Sequence, residues 1–180
     1  MSLKFKECLK SKSEHYAQID KFRAFRLYER YKKAFCELKI IQIIGTNGKG
    51  STGRFLAQLL NALNFNVAHY TSPHIFEFNE RFWQNGRLLS DDELNSAHEA
   101  LAKMMSDEDL QSLSYFEYAT FLAALSFKEC DFVVFEAGLG GEFDATSVFD
   151  KILSVFTPIS YDHTQILGEN LLDIARTKLK

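Results

Sequence analysis

The residues best able to do chemistry stand in four short groups. The first is Gly45-Thr-Asn-Gly-Lys-Gly-Ser51. Its glycines permit tight turns in which successive backbone N–H groups converge on phosphate oxygens. Lys49 has the reach to neutralise terminal phosphates, and a hydroxyl from Ser51 or Thr52 can ligate Mg²⁺. The stretch departs from a strict Walker A pattern, because Ile43 holds its first glycine position and Gly50 separates Lys49 from Ser51. The second group is Glu136-Ala-Gly-Leu-Gly-Gly141. Its carboxylate can hold Mg²⁺ directly or through water, or simply cap a glycine-rich turn. Thr71-Ser-Pro-His74 and Tyr161-Asp-His-Thr164 add hydroxyls, a carboxylate and imidazoles, although a single histidine such as His163 serves equally as a hydrogen-bonded structural residue. No Ser-His-Asp or Cys-His arrangement points to a covalent nucleophile.

Each group follows a segment with strand character. Lys39-Ile-Ile-Gln-Ile-Ile44 is a β-branched run that stops at Gly45, and residues 65–70, 132–135 and 152–156 repeat the pattern. Helices are predicted over 16–38, over 51–63 with Phe55, Leu56, Leu59, Leu60 and Leu63 on adjoining faces, and over 114–129. A further helix opens at the capping box Ser90-Asp-Asp-Glu93 and runs to about Met105, and the last begins near Asn170. This alternation predicts an α/β domain with a mostly parallel sheet, which binds ligands beyond the carboxyl ends of its strands. Four strand ends carrying hydroxyl, carboxylate or imidazole at one edge of an apolar sheet cost stability unless they bind something.

The composition bounds the rest. The 180 residues are 46% hydrophobic and 25% charged, with 2 prolines and 9 glycines, so the chain can bury a core as one domain over 1–180. Seventeen phenylalanines predict a core rich in aromatic contacts. No apolar run is long enough to span a bilayer and the N-terminus has no secretory pattern, so a cytoplasmic protein without a membrane partner is expected. Cys8, Cys36 and Cys130 are odd in number and unpaired in spacing, which fits a reducing compartment. Residues 1–39, a basic helical segment ahead of the core at 40–180, hold 11 basic and 5 acidic side chains. That segment either meets an anionic ligand or forms a solvated face. No basic stripe continues beyond it, which argues against nucleic-acid binding.

Taken in order, Gly45–Ser51, Thr71–His74 with Glu80-Arg81, Tyr115-Phe-Glu-Tyr118, Glu136–Gly141 with Asp144-Ala-Thr146, and Asp162-His-Thr164 resemble the N-terminal ATPase domain of the folylpolyglutamate synthase/dihydrofolate synthase family, relatives of the Mur ligases. The resemblance runs from about residue 14 to 178 and implies a three-layer, P-loop-type α/β domain, truncated before the end of that domain and the second one. It implies an ATP-dependent ligase that joins L-glutamate to dihydropteroate or tetrahydrofolate through an acyl phosphate, with ATP and Mg²⁺ as cofactors. Thr46, Asn47, Gly48, Lys49, Gly50 and Ser51 would bind ATP. Ser51, Ser72, Glu136 and His163 would hold magnesium, and Lys49, Glu136, His163 and Lys178 would serve catalysis, Lys178 as a carbamate. Ser114, Tyr115, Phe116, Glu117, Phe143, Asp144 and Ala145 would contact the pterin, and Ser13-Glu14-His15 align loosely with a further contact.

The sequence departs from that family at Glu142, where arginine is common, at Ser147, where asparagine is usual, and at Thr177-Lys-Leu-Lys180 around the lysine. Two other readings stay open: a nucleotide- or pterin-binding module without ligation, and a fragment of a Mur-type ligase, the latter disfavoured by Gly50.

Overall fold

The structure, a computed structural model, describes residues 4–12, 20–35 and 37–179. The predicted β-branched runs become β1 (Ile40–Ile44), β2 (Val67–Tyr70), β5 (Phe132–Glu136) and β6 (Lys151–Phe156). They lie parallel in the order β2-β5-β1-β6. Two short strands absent from the sequence reading, β3 (Phe82–Gln84) and β4 (Arg87–Leu88), extend the β2 edge in antiparallel fashion. Their connection is Asn85-Gly86, both at positive φ (47° and 91°), the backbone that a two-residue hairpin with matching twist requires.

Side-chain alternation sorts the sheet into two faces. Ile41, Ile43, Val67 and Val134 meet α3 (Lys49–Ala62) on one side. Ile40, Ala68, Tyr70, Val133 and Phe135 pack on the other side into the larger core. That core takes in α1 (Phe5–Lys10), α2 (Arg23–Tyr31), α4 (Asp91–Met104), α5 (Asp107–Ser112) and α6 (Tyr115–Ser126). The result is three layers, as expected. The aromatic expectation also holds: Phe35, Phe121, Phe135 and Phe149 form an edge-on network with ring centroids 5.5–6.1 Å apart. Phe5, Ala24 and Leu27 are buried in the same core, so the basic N-terminal segment packs into the body.

The helix predicted over 16–38 is shorter. Within the described residues it is α2, followed by a 3-10 turn at Lys32–Ala34 and then extended backbone at Phe35. Residues 13–19 and Cys36 lie outside the described residues. α4 starts from Ser90, whose hydroxyl accepts from the Glu93 N–H while Glu93 reaches back, as the capping box predicts. The helix near the end is α8 (Leu171–Leu179), preceded by a short α7 (Thr164–Leu167). Among the described residues no helix is long and apolar enough to cross a membrane.

The α3 face differs from the expectation. Gly53 and Ala57 meet the sheet, while Phe55, Leu59 and Leu63 are 72%, 50% and 60% exposed. A Cβ at Gly53 would lie 2.5 Å from Nε2 of buried His69, so only glycine allows the helix this close. Small residues set the closest approach, Leu56 and Leu60 pack at its flanks, and Phe55, Leu59 and Leu63 turn outward.

Candidate functional site

Strand register levels the ends of the parallel strands. Ile43 stands opposite Glu136, Ile44 opposite Phe156 and Tyr70 opposite Phe135. The loops after β1, β2, β5 and β6 therefore leave the sheet at one height and can share a site. After β1, Gly45 is fixed by its surroundings, because a Cβ there would fall 1.9 Å from Thr157 Oγ1 at a φ of +154°. Thr46 and Asn47 N–H groups bond to the Pro158 carbonyl at 3.1 and 3.3 Å, and Thr46 exchanges hydrogen bonds with Ser160. Gly48, left-handed at φ 81°, turns the chain into α3. Lys49 opens that helix and folds back so that Nζ donates to the Thr46 carbonyl at 3.2 Å. Ser51 sits exposed on the first turn. The segment is thus a strand–loop–helix turn with a lysine and a helix N-terminus at its mouth, a combination suited to phosphate.

Glu136 shares the α3-facing alternation of Val134, which carries its carboxylate beneath that first turn. It is 4% exposed; Oε2 accepts from the Thr71 hydroxyl and from the Ser72 N–H at 3.1 Å. A Cβ at Gly50 would come within 3.2 Å of Glu136 Oε2 and of Thr71 Oγ1, which explains the glycine after the lysine. Burial pushes the Glu136 carboxyl above its ordinary range, opposed by those two hydrogen bonds and by the charges of Lys49 and Arg81. A buried carboxylate held ready beside hydroxyls is a hard oxygen donor set of the kind Mg²⁺ takes together with phosphates and water. His163, left-handed at φ 46°, stands at the start of α7 with Nε2 3.6 Å from Asp162. Among the described residues no three His, Cys, Asp or Glu side chains form a ready metal cluster. Lys178, 4% exposed on α8, donates Nζ to the Gly45 carbonyl at 2.7 Å. Its pKa is lowered first by burial and then by Lys49.

A cavity of about 770 Å³ opens from this edge. It is lined by Lys49, Ser72 and His163, by Ser114, Tyr115, Phe116 and Glu117 from the start of α6, and by Phe143, Asp144 and Ala145 from the loop after β5. Phe116 lies so close to Gly138 that a Cβ there would be 2.6 Å from the ring. Asp144, 4% exposed, binds its own loop: Oδ2 accepts from Gly138 and Leu139 N–H, and Oδ1 from Thr146 N–H and hydroxyl, at 2.6–2.9 Å. Burial still raises its pKa. Glu117 Oε2 likewise accepts from Ser114 N–H and Arg23, each at 2.7 Å. Both carboxylates shape the walls through bonds already made.

The chain also has many similar proteins. The dihydrofolate synthase/folylpolyglutamate synthase of Bacillus subtilis is 41% identical over 152 residues, covering 79% of this chain and 34% of its own length. The crystal structure of Helicobacter pylori folylpolyglutamate synthetase superposes with a TM-score of 0.84 at 47% identity, over 97% of this chain and 43% of that one. This chain is a homologue of the N-terminal part of those synthases. An Escherichia coli FolC structure in complex with DHPP and ADP matches with a TM-score of 0.82 at 31% identity, over 96% of this chain and 41% of its own. The chain thus spans less than half the length of the synthases it matches. No family model matches it.

The structure gathers ten of the expected residues on one cavity, including Lys49, Ser72, Phe116 and His163, with Glu136 directly behind Ser72. Of the expected phosphate-loop residues only Lys49 reaches the cavity wall. Ser13, Glu14 and His15 lie outside the described residues. Lys21, Arg23, His74 and Arg81 also line the cavity; the sequence reading named the last two only within the Thr71–His74 and Glu80-Arg81 motifs and singled out neither of the first two. The basic segment carried a partial signal for the first two. Some of its other cations pair on the surface, as Arg26 does with Asp20 and Arg30 with Asp109, while buried Lys12 donates to the Leu110 carbonyl. The departures fall here too: Glu142 lines the cavity, and Ser147 donates to the Gly141 carbonyl at 2.6 Å while accepting from buried Gln42 at 2.8 Å.

Proposed function

We propose that this chain is the phosphate-, magnesium- and pterin-binding part of an ATP-dependent carboxylate–amine ligase that adds L-glutamate to dihydropteroate or tetrahydrofolate. The observation that carries the reading is one cavity lined both by a phosphate-type loop lysine, Lys49, and by an aromatic ring, Phe116. Relatives whose structures hold ADP with DHPP, or AMPPCP with folate, support it.

In this reading Lys49 and the α3 N-terminus receive the ATP phosphates. The substrate carboxylate attacks the γ-phosphorus and ADP leaves; the glutamate amine then attacks the acyl carbon and phosphate leaves. Lys49 offsets charge on the transferring phosphoryl group. Glu136, Ser72, Ser51 and His163 would hold magnesium, which supplies charge neutralisation at the phosphate oxygens when bound. Phe116 would stack on the flat pterin, and Ser114 and Ala145 would bound it.

Calorimetric titration of the chain with ATP, with and without Mg²⁺, and with dihydropteroate tests the reading. Both ligands are expected to bind, and Lys49→Ala to weaken ATP binding by about 10-fold or more, as loss of a charge-assisted contact does. Unchanged nucleotide affinity in both Lys49→Ala and Glu136→Ala would overturn it. Product analysis with L-glutamate separates a ligase from a binding module.

A further inference from the structure

Arg81 is 7% exposed and lines the cavity. A guanidinium keeps its charge at any pH a protein survives, so a buried one needs an anion. Among the described residues no carboxylate lies within salt-bridge distance of it. Its Nε donates to His74 Nδ1 at 2.9 Å, and its plane lies 5.3 Å from the Tyr115 ring and 5.8 Å from the Phe78 ring. The hydroxyl of buried Tyr70 is also within hydrogen-bonding reach of Arg81. None of these groups is an anion, and the Glu136 carboxylate acts on Arg81 only from beyond contact distance. The adjacent carboxylate, Glu80, is turned away and accepts from the N–H groups of Ile75, Phe76 and Glu77.

Position narrows the missing anion. The Arg81 carbonyl accepts from the Thr71 N–H at 3.1 Å, which ties it to the segment that holds Glu136. Arg81 and Lys49 both act electrostatically on Glu136, and both line the cavity that Phe116 walls. With Nε committed to His74, the remaining guanidinium N–H groups of Arg81 form a planar fork, the shape that matches a carboxylate bidentately. Aromatic faces offset part of a buried charge but leave it attractive to an anion.

We infer that Arg81 holds the reacting carboxylate of the pterin substrate, positioning it for phosphoryl transfer. The inference rests on the proposed ligase reading. Titration of the chain with dihydropteroate and with the same molecule lacking its carboxyl group tests it. The wild-type chain is expected to prefer the carboxylate by about 10- to 100-fold, the range for a charge-assisted bidentate contact. Arg81→Met should abolish that preference while leaving affinity for the decarboxylated ligand and for Mg-ATP unchanged; Arg81→Lys should keep part of it. A preference that survives in Arg81→Met overturns the assignment and leaves the ligase reading standing. Loss of Mg-ATP affinity with the preference intact also overturns it, since the anion would then be a phosphate. Failure of the wild-type chain to bind either pterin overturns the ligase reading and, with it, this inference.

Discussion

At the scale of single residues, the site is governed by burial and by contacts too close for any side chain. Glu136 is the clearest case of the first. Because burial raises its pKa in the folded state, its ionised form costs stability at neutral pH, and the cost disappears as pH falls through the ordinary carboxylate range. Glu136→Gln is therefore expected to raise the melting temperature of the metal-free chain at pH 7–8, with the gain shrinking towards zero near pH 4. The same variant should weaken magnesium-dependent ATP binding. A stability gain independent of pH would show that the carboxylate is not the cause. Gly138 is the case of the second: the Phe116 ring lies where its Cβ would stand. Gly138→Ala should displace that ring and lower pterin affinity with little change in ATP affinity, as titration with each ligand can read.

At the scale of elements, caps and small residues set which surfaces meet. Ser114 accepts from the Glu117 N–H to start α6, and Glu117 answers at the Ser114 N–H. Ser114→Ala is expected to cost about 1 kcal/mol in denaturant unfolding, the usual value of such a cap. A change below a few tenths would mean that Arg23 alone anchors Glu117. In α3, Gly50, Gly53 and Ala57 fall on the face that touches Glu136, His69 and the sheet. The approach gives Glu136 its place under the helix N-terminus and leaves Phe55, Leu59 and Leu63 facing outward. Helical periodicity set those large residues on adjoining faces without fixing which face meets the sheet, because it counts hydrophobicity and not the distance at which helix and sheet settle.

At the scale of the whole molecule, the apolar surfaces exposed among the described residues include the outer face of α3 and the β6 edge, where Ile152, Leu153 and Phe156 are 56%, 52% and 46% exposed. An open, apolar edge strand tends to pair with other chains. Light scattering at rising concentration is expected to show self-association of this chain, and Leu153→Lys to reduce it while changing folding stability by about 0.5 kcal/mol or less. Association unaffected by Leu153→Lys would place the contact elsewhere, with Phe55→Lys as the matching variant on α3.

The sequence by itself determined the four parallel strands, the helices between them, the capping boxes and the polar groups waiting at the strand ends, since these depend on local periodicity and turn chemistry. It left open which polar groups would face one another. Strand register, the close approach of α3 and the folding of α8 onto Gly45 decided that, through contacts between residues as far apart as Gly45 and Lys178. The tertiary structure also decided that Asp144 and Glu117 spend their oxygens on their own walls, while Arg81 lines the cavity with no carboxylate in salt-bridge contact among the described residues. Spacing along the chain cannot carry that information, because compensation of a buried charge is a property of everything packed around it.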